Sequence, residues 1–113
     1  MIHLTASSAI MLATAPADFR CGVDGLAALV QHRLGQNPRT GTLYVFRNRA
    51  KTMIRILAYE ACANEAGRGY WVLTKRLSQG RFAHWPSPTS PLSPLAAHRL
   101  RHILNNLLPC IDE

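Results

Sequence analysis

Apolar positions along the chain change period twice, and each change marks a different kind of element. A short continuous apolar run at 9–13, followed by Thr14, reads as a buried strand that ends at the Pro16 turn. From Val23 the apolar residues Val23, Leu26, Ala27, Val30 and Leu34 recur at the spacing of one helix face, which predicts a helix over 22–34. Asp24 sits in its first turn, where a carboxylate suits the positive end of the helix dipole. Gly35 and then Pro38 supply the stop signals, and Gln31, His32 and Arg33 fall on the wet side.

The period then shortens to two. Residues 42–47, 53–59 and 70–77 are rich in β-branched and aromatic side chains and read as strands, with a hairpin tip at 48–52 and a longer small-residue connection at 60–69. Ser78-Gln79-Gly80 is a turn, after which 81–85 reads as a fourth strand, and the short connections predict an antiparallel meander. Pro86, Pro88, Pro91 and Pro94 make 86–94 an extended linker. Ser93-Pro94 has the look of an N-cap followed by a first-turn proline, so the last helix is expected over 94–108. Ala96, Leu100, Ile103, Leu104, Leu107 and Leu108 line its apolar face, opposite His98, Arg99, Arg101, His102 and Asn105. The expectation is one α+β domain spanning 1–113: a four-stranded antiparallel meander with an N-terminal strand and helix and a C-terminal helix packed on it. Its core would be 1–86, its linker 86–94 and its last helix 94–108.

Composition narrows the function classes. With 48% hydrophobic and 17% charged residues the chain is no disordered polyelectrolyte, and no run of eighteen apolar residues could span a bilayer as a helix. The 9–15 stretch lacks a Lys/Arg region before it, so a buried strand is expected there instead of a signal core, and a cytoplasmic location follows. Cys21, Cys62 and Cys110 are odd in number and widely spaced, which suits lone buried thiols in a reducing compartment better than a disulfide framework. No CxxC or HExxH is present, and His98 with His102 has no evident third ligand, so neither metal nor cofactor is expected.

Charge carries the most information. Between Arg39 and Arg81 lie nine basic residues and two acids, a local excess of +7; the rest of the chain has four of each and sums to zero. Eleven of the thirteen basic residues are arginine, which grips phosphate through two parallel hydrogen bonds. Arg47, Arg49, Lys51, Arg55, Lys75, Arg76 and Arg81 are the candidate nucleic-acid contacts, interleaved with Tyr44, Phe46, Tyr59, Tyr70, Trp71 and Trp85, which are either base-stacking platforms or core. Arg20 between Asp18 and Asp24 reads as an internal salt bridge that fixes the loop before the first helix. Gly22 and Gly25 read as packing or turn positions, because no phosphate-loop motif is present. The few carboxylates fall in a turn, a helix start and a loop, so no catalytic residue is assigned.

Three stretches resemble one known family. Asp18-Phe19-Arg20-Cys21-Gly22-Val23-Asp24-Gly25-Leu26 is similar to its D-[MF]-R-x-G-x-D-G-L entry to the first helix. Leu43-Tyr44-Val45-Phe46-Arg47-Asn48-Arg49, followed by Ile54-Arg55-Ile56-Leu57, resembles its first pair of strands. The string 75–86 resembles its K-R-L-x-x-G-R-F-x-W-P hairpin, with His84 as an extra residue before the tryptophan. The family is the small TnpB-type accessory protein encoded beside the transposase of IS-sixty-six-class insertion sequences, unrelated to the RNA-guided nuclease that shares the label. The 60–69 loop is longer than the family's, and Cys110 stands where the family has glycine. The resemblance implies a non-catalytic role in transposition beside a transposase, and the Arg-rich segment adds element-end DNA as the expected partner. Two readings remain open: DNA held on an Arg-rich sheet face, or an adaptor that docks on the transposase without touching DNA.

Overall fold

The computed structural model describes residues 9–61, 64–86 and 89–107. Strand β1 (Ile10–Ala13) leads through a 3-10 turn (Phe19–Cys21) into helix α1 (Gly22–Ala28), which continues as a π-helical turn over Leu29–Arg33. Strands β2 (Leu43–Arg47), β3 (Met53–Glu60) and β4 (Gly69–Arg76) follow, with a second 3-10 turn (Glu65–Gly67) between β3 and β4. Strand β5 (Leu92–Pro94) and helix α2 (Ala97–Leu104) complete the described elements.

The class is α+β, but the sheet has five strands in the order β4-β3-β2-β1-β5 and is mixed, not a four-stranded antiparallel meander. Only β2, β3 and β4 form the antiparallel run. β1 lies parallel to β2, with Ile10 beside Leu43 and Leu12 beside Val45, because α1 carries the chain back across the sheet between them. The expected fourth strand, 81–85, is extended but unpaired. Its Phe82 N–H donates instead to Lys51 O at the β2–β3 tip (2.6 Å), which turns the segment over the sheet and buries Phe82. Part of the expected linker is the missing strand: Leu92, Ser93 and Pro94 pair with Ala13, Leu12 and Met11. Proline is tolerated there because β5 is an edge. Ser93 and Pro94 therefore belong to a strand, and α2 starts at Ala97 after an extended Ala96 (φ −78°, ψ 151°). It stops at Leu104, with Asn106 at φ 55° turning the chain aside and leaving Leu107 exposed.

Both faces of the sheet are covered. Leu26 and Val30 of the first helix pack on Tyr44, Phe46 and Leu57; Ala97, Leu100 and Ile103 of α2 pack on Leu12, Val45 and Ile54 across the other face. Strand residues therefore alternate between the α1 side and the α2 side. The helix predicted over 22–34 is present to Arg33, and its last turn widens so that Leu34 N–H reaches Leu29 O (3.1 Å).

Where α1 begins, two glycines act as packing and turn positions. Gly22 has φ 71°, and a Cβ on Gly25 would lie 2.3 Å from Cys21 Cβ and 2.6 Å from its Sγ. Cys21 is exposed, contrary to the buried thiol expected, because it sits on the outer turn with Sγ against Asp18 O (2.9 Å). Cys62 and Cys110 lie outside the described residues. Gly25→Ala should destabilise the fold by about 1–3 kcal/mol through this clash, and adding Cys21→Gly should recover part of the loss. Urea unfolding of the single and double variants measures both.

Candidate nucleic-acid interface

Directly opposed residues of antiparallel strands share a face, so the register assigns each basic side chain a side. Arg47 and Lys75 both oppose Ile54 and lie on the α2 side. Arg55, opposite Phe46 and Thr74, and Arg76, opposite Met53, lie on the α1 side. The seven candidates thus occupy no single sheet face.

Three of them have partners within the chain, Arg47 and Arg55 half-buried and Lys75 exposed. Arg47 donates through Nη1 to Phe82 O (2.7 Å) and lies over the Trp85 ring at 4.8 Å, and burial pulls its pKa below the ordinary guanidinium value. Arg55 donates to Phe19 O (2.7 Å) and Thr74 Oγ1 (3.2 Å) and stacks on the Phe19 ring at 4.9 Å. Lys75 Nζ reaches Leu104 O at the C-terminal end of α2, where a cation meets the negative end of the helix.

The other four, Arg49, Lys51, Arg76 and Arg81, are exposed and gather at one end of the sheet. Backbone contacts establish the grouping. Met53 pairs with Arg76 at the end of β4, Leu77 N–H donates to Thr52 O (3.1 Å), and Phe82 N–H donates to Lys51 O. Arg49 and Lys51 stand on a rigid tip: Asn48 Oδ1 accepts from the N–H groups of Thr52 (2.9 Å) and Met53 (3.0 Å), and Asn48 Nδ2 donates to Thr52 Oγ1 (3.1 Å). Lys51 itself sits at φ 65°, a left-handed conformation that costs a non-glycine residue about 1 kcal/mol or more. Tip and β4 end together make a basic rim.

An open cleft of about 480 Å³ adjoins the rim on the α1 side, lined by Asp18, Arg20, Asn48, Arg49, Met53 and Arg55 among others. Arg20 and Asp18 form a two-pronged pair, Nε to Oδ1 at 3.0 Å and Nη2 to Oδ2 at 2.9 Å, and Asp18 also accepts from Arg20 N–H, which closes the turn before α1. Hydrogen bonds from Arg20, with the nearby charge of Arg49, hold the Asp18 carboxyl down at about 2. The salt bridge expected for this loop is therefore an Arg20–Asp18 pair.

Most of the aromatics are core. Tyr44 and Phe46 are buried, Trp85 donates Nε1–H to Ala13 O (3.0 Å), and Tyr59 and Tyr70 meet edge to face at 5.0 Å. Arg39 lies over the Tyr59 ring at 5.3 Å. Trp71 alone among these six is largely exposed, with Nε1–H on Glu60 Oε1. Among the described residues no group of three or more His, Cys, Asp or Glu is placed to hold a metal ion, and no helix is long and apolar enough to cross a membrane.

The division between engaged and exposed charges is measurable. Arg47→Ala should cost about 2–3 kcal/mol, because it strips a charged hydrogen bond from a part-buried carbonyl, whereas Arg81→Ala should stay within about 0.5 kcal/mol; denaturant unfolding compares them. Asp18 gives a pH signature. Its folded pKa is depressed, so its contribution is fully present above the unfolded value of 3.8 and is lost as pH falls toward about 2. Acid unfolding should show that loss, Asp18→Asn should remove it, and carboxyl-carbon NMR titration should place the Asp18 midpoint near the lower value.

Comparison with known proteins places this geometry in a family. The model of the family described as "IS66 Orf2 like protein" matches residues 8–108. The uncharacterized protein y4hO of Sinorhizobium fredii is 34% identical over 98 residues, covering 87% of this chain and 79% of that protein. A second uncharacterized protein of the same organism, y4jC, is 38% identical over 77 residues, covering 68% of this chain and 61% of that protein. No solved structure matches. The stretches whose residues resembled the transposition-accessory family fall inside the matched span, and the chain belongs to the IS66 Orf2-like family of insertion-sequence accessory proteins.

Proposed function

We infer that the basic rim holds DNA by its phosphates, and that the protein serves transposition as a non-catalytic accessory to a separate transposase. One observation carries this reading: Arg49, Lys51, Arg76 and Arg81 are exposed at one end of the sheet, beside a tip held rigid by Asn48, and among the described residues none of them has an ion pair within hydrogen-bonding distance. A guanidinium already bonded to a carbonyl, as in Arg47 and Arg55, adds little to phosphate affinity. An exposed one on a fixed backbone can displace counterions from a duplex and supply two hydrogen bonds to each phosphate. The cleft beside the rim is lined by Arg49, while Arg20 on the same side is held by Asp18 and adds little. Contacts of this kind position DNA without reading bases. Element-end DNA is the substrate this family context favours, and no cofactor is required. Arg47, Arg55 and Lys75, also candidates from sequence, support the surface from within.

The adaptor reading makes a different prediction, and salt separates the two. With about four phosphate contacts, log Kobs should fall against log salt with a slope of roughly −3 to −4. Arg49→Ala, Arg76→Ala or Arg81→Ala should each reduce the slope by about 1, while leaving the unfolding midpoint unchanged. A fluorescence-anisotropy titration with element-end and random duplexes reads both quantities. No binding at low salt, or a slope insensitive to these substitutions, would overturn the rim. Retention of transposase at high salt after nuclease treatment would then favour the adaptor.

A further inference from the structure

The two edges of the sheet are built differently. β5 is three residues long and carries Pro94, a short edge that resists further pairing. β4 is eight residues long and pairs with β3 without a bulge from Met53↔Arg76 to Glu60↔Gly69. It contains no proline, and on its three central residues Trp71 is 46%, Val72 37% and Leu73 45% exposed. Three of the five large exposed apolar side chains among the described residues are thus consecutive on one open edge.

The hydrogen-bond phase shows which backbone groups that edge presents. Leu77 N–H bonds to Thr52 O, so the 77/52 pair is a bonded one, and bonded pairs recur every second residue. Leu73 and Lys75 therefore turn their N–H and C=O toward β3, while Tyr70, Val72, Thr74 and Arg76 turn theirs outward. An incoming antiparallel strand must satisfy those four residues.

We propose that β4 pairs antiparallel with β4 of a second copy of this chain, about a two-fold axis at Leu73. Registers centred on Val72, Leu73 or Thr74 all keep matching faces together, but only the one centred on Leu73 sets all four outward residues against one another. Centred on Val72 the pairing leaves Arg76 opposite Arg68, and centred on Thr74 it leaves Tyr70 opposite Ser78, both outside β4. Centred on Leu73, it sets Arg76 against Tyr70, a cation beside an aromatic ring, and lays the aliphatic stem of Lys75 against Trp71. Leu73 then faces its own copy across the axis in a non-bonded pair, the close kind, and covers itself. Two five-stranded sheets become one continuous sheet, with the open edge removed from both. Because the two β4 strands run in opposite directions, the two basic rims point away from one another. The pairing stands on β4 and shares only Arg76 with the rim.

Sedimentation equilibrium on the full chain tests it, from about 1 to 100 μM, a range that brackets micromolar association. The expected result is a dimer of twice 12.5 kDa. Val72→Pro removes an outward N–H and leaves the β3 ladder intact, and should weaken the dimer by about tenfold or more with far-UV circular dichroism and anisotropy-detected DNA binding per chain unchanged. Leu73→Lys should do the same by placing two ammonium groups on the axis. Should either variant lose its fold, Leu73→Cys in a Cys21→Ser background supplies the second measurement. Mild oxidation should cross-link that protein through position 73, and the background alone should not cross-link there. A wild-type chain that stays monomeric to the top of the range overturns the proposal. So does a dimer that both folded variants preserve, or a failure of position 73 to cross-link.

Discussion

One guanidinium ties together parts of the chain that secondary structure leaves unconnected. Arg47, at the end of β2, donates to Phe82 O and covers the Trp85 ring, and Trp85 in turn donates to Ala13 O at the end of β1. The segment that follows β4 has no strand partner, so these contacts, with the Phe82 N–H to Lys51 O bond, are what bring it back over the α2 side of the sheet. Phe82 can then fill the core beside Ile54 and Leu100. A lysine could not reproduce this, since a compact ammonium has no planar face to lay on the indole. The returning segment also delivers Arg81 to the tip that bears Arg49 and Lys51, so the basic rim depends on an arginine that is not part of it.

That dependence changes how the regional charge is understood. An excess of +7 between Arg39 and Arg81 looks like one cationic surface when only sequence is available. Folded, it divides into internal struts and outward-facing groups. Arg55 bridges to Phe19 O and so fixes the turn before α1, and Lys75 caps the end of α2. Neither role is visible from composition, because each acceptor is a main-chain carbonyl far away in sequence. Asp18 shows the complementary case: its partner is two residues away, so the pairing with Arg20 could be anticipated from the sequence itself.

The same distinction separates what was legible in the fold from what was not. Helix α1 with its π-helical continuation to Arg33 and strands β2, β3 and β4 follow from local periodicity, and their bounds in the structure agree with the pattern to within about a residue or two. The proline-rich stretch and 81–85 were misassigned because their conformation is settled by distant partners. Residues 92–94 form a strand along the free edge of β1, and 81–85 forms none because the Phe82 N–H is bonded to Lys51 O at the tip. The parallel β1–β2 pairing follows from the strand–helix–strand order of the pattern, whereas the short loops after β2 specify only the antiparallel neighbours. The candidate residues were likewise found as a set, while their division between strut and rim needed the register.

β4 is where the two surfaces meet. Its last residue, Arg76, belongs to the rim, and its centre, from Tyr70 to Leu73, forms the open edge. A strand exposed on both faces contributes little to the core, and an exposed apolar edge is an aggregation hazard that β5 avoids with length and proline. Shielding β4 would take only a lysine or a proline near its centre. The sequence instead places its two basic residues at one end, where they leave the apolar centre uninterrupted and oppose aromatic residues under two-fold pairing. That arrangement protects solubility poorly and suits a partner strand well, which is the physical reason to regard the edge as an interface.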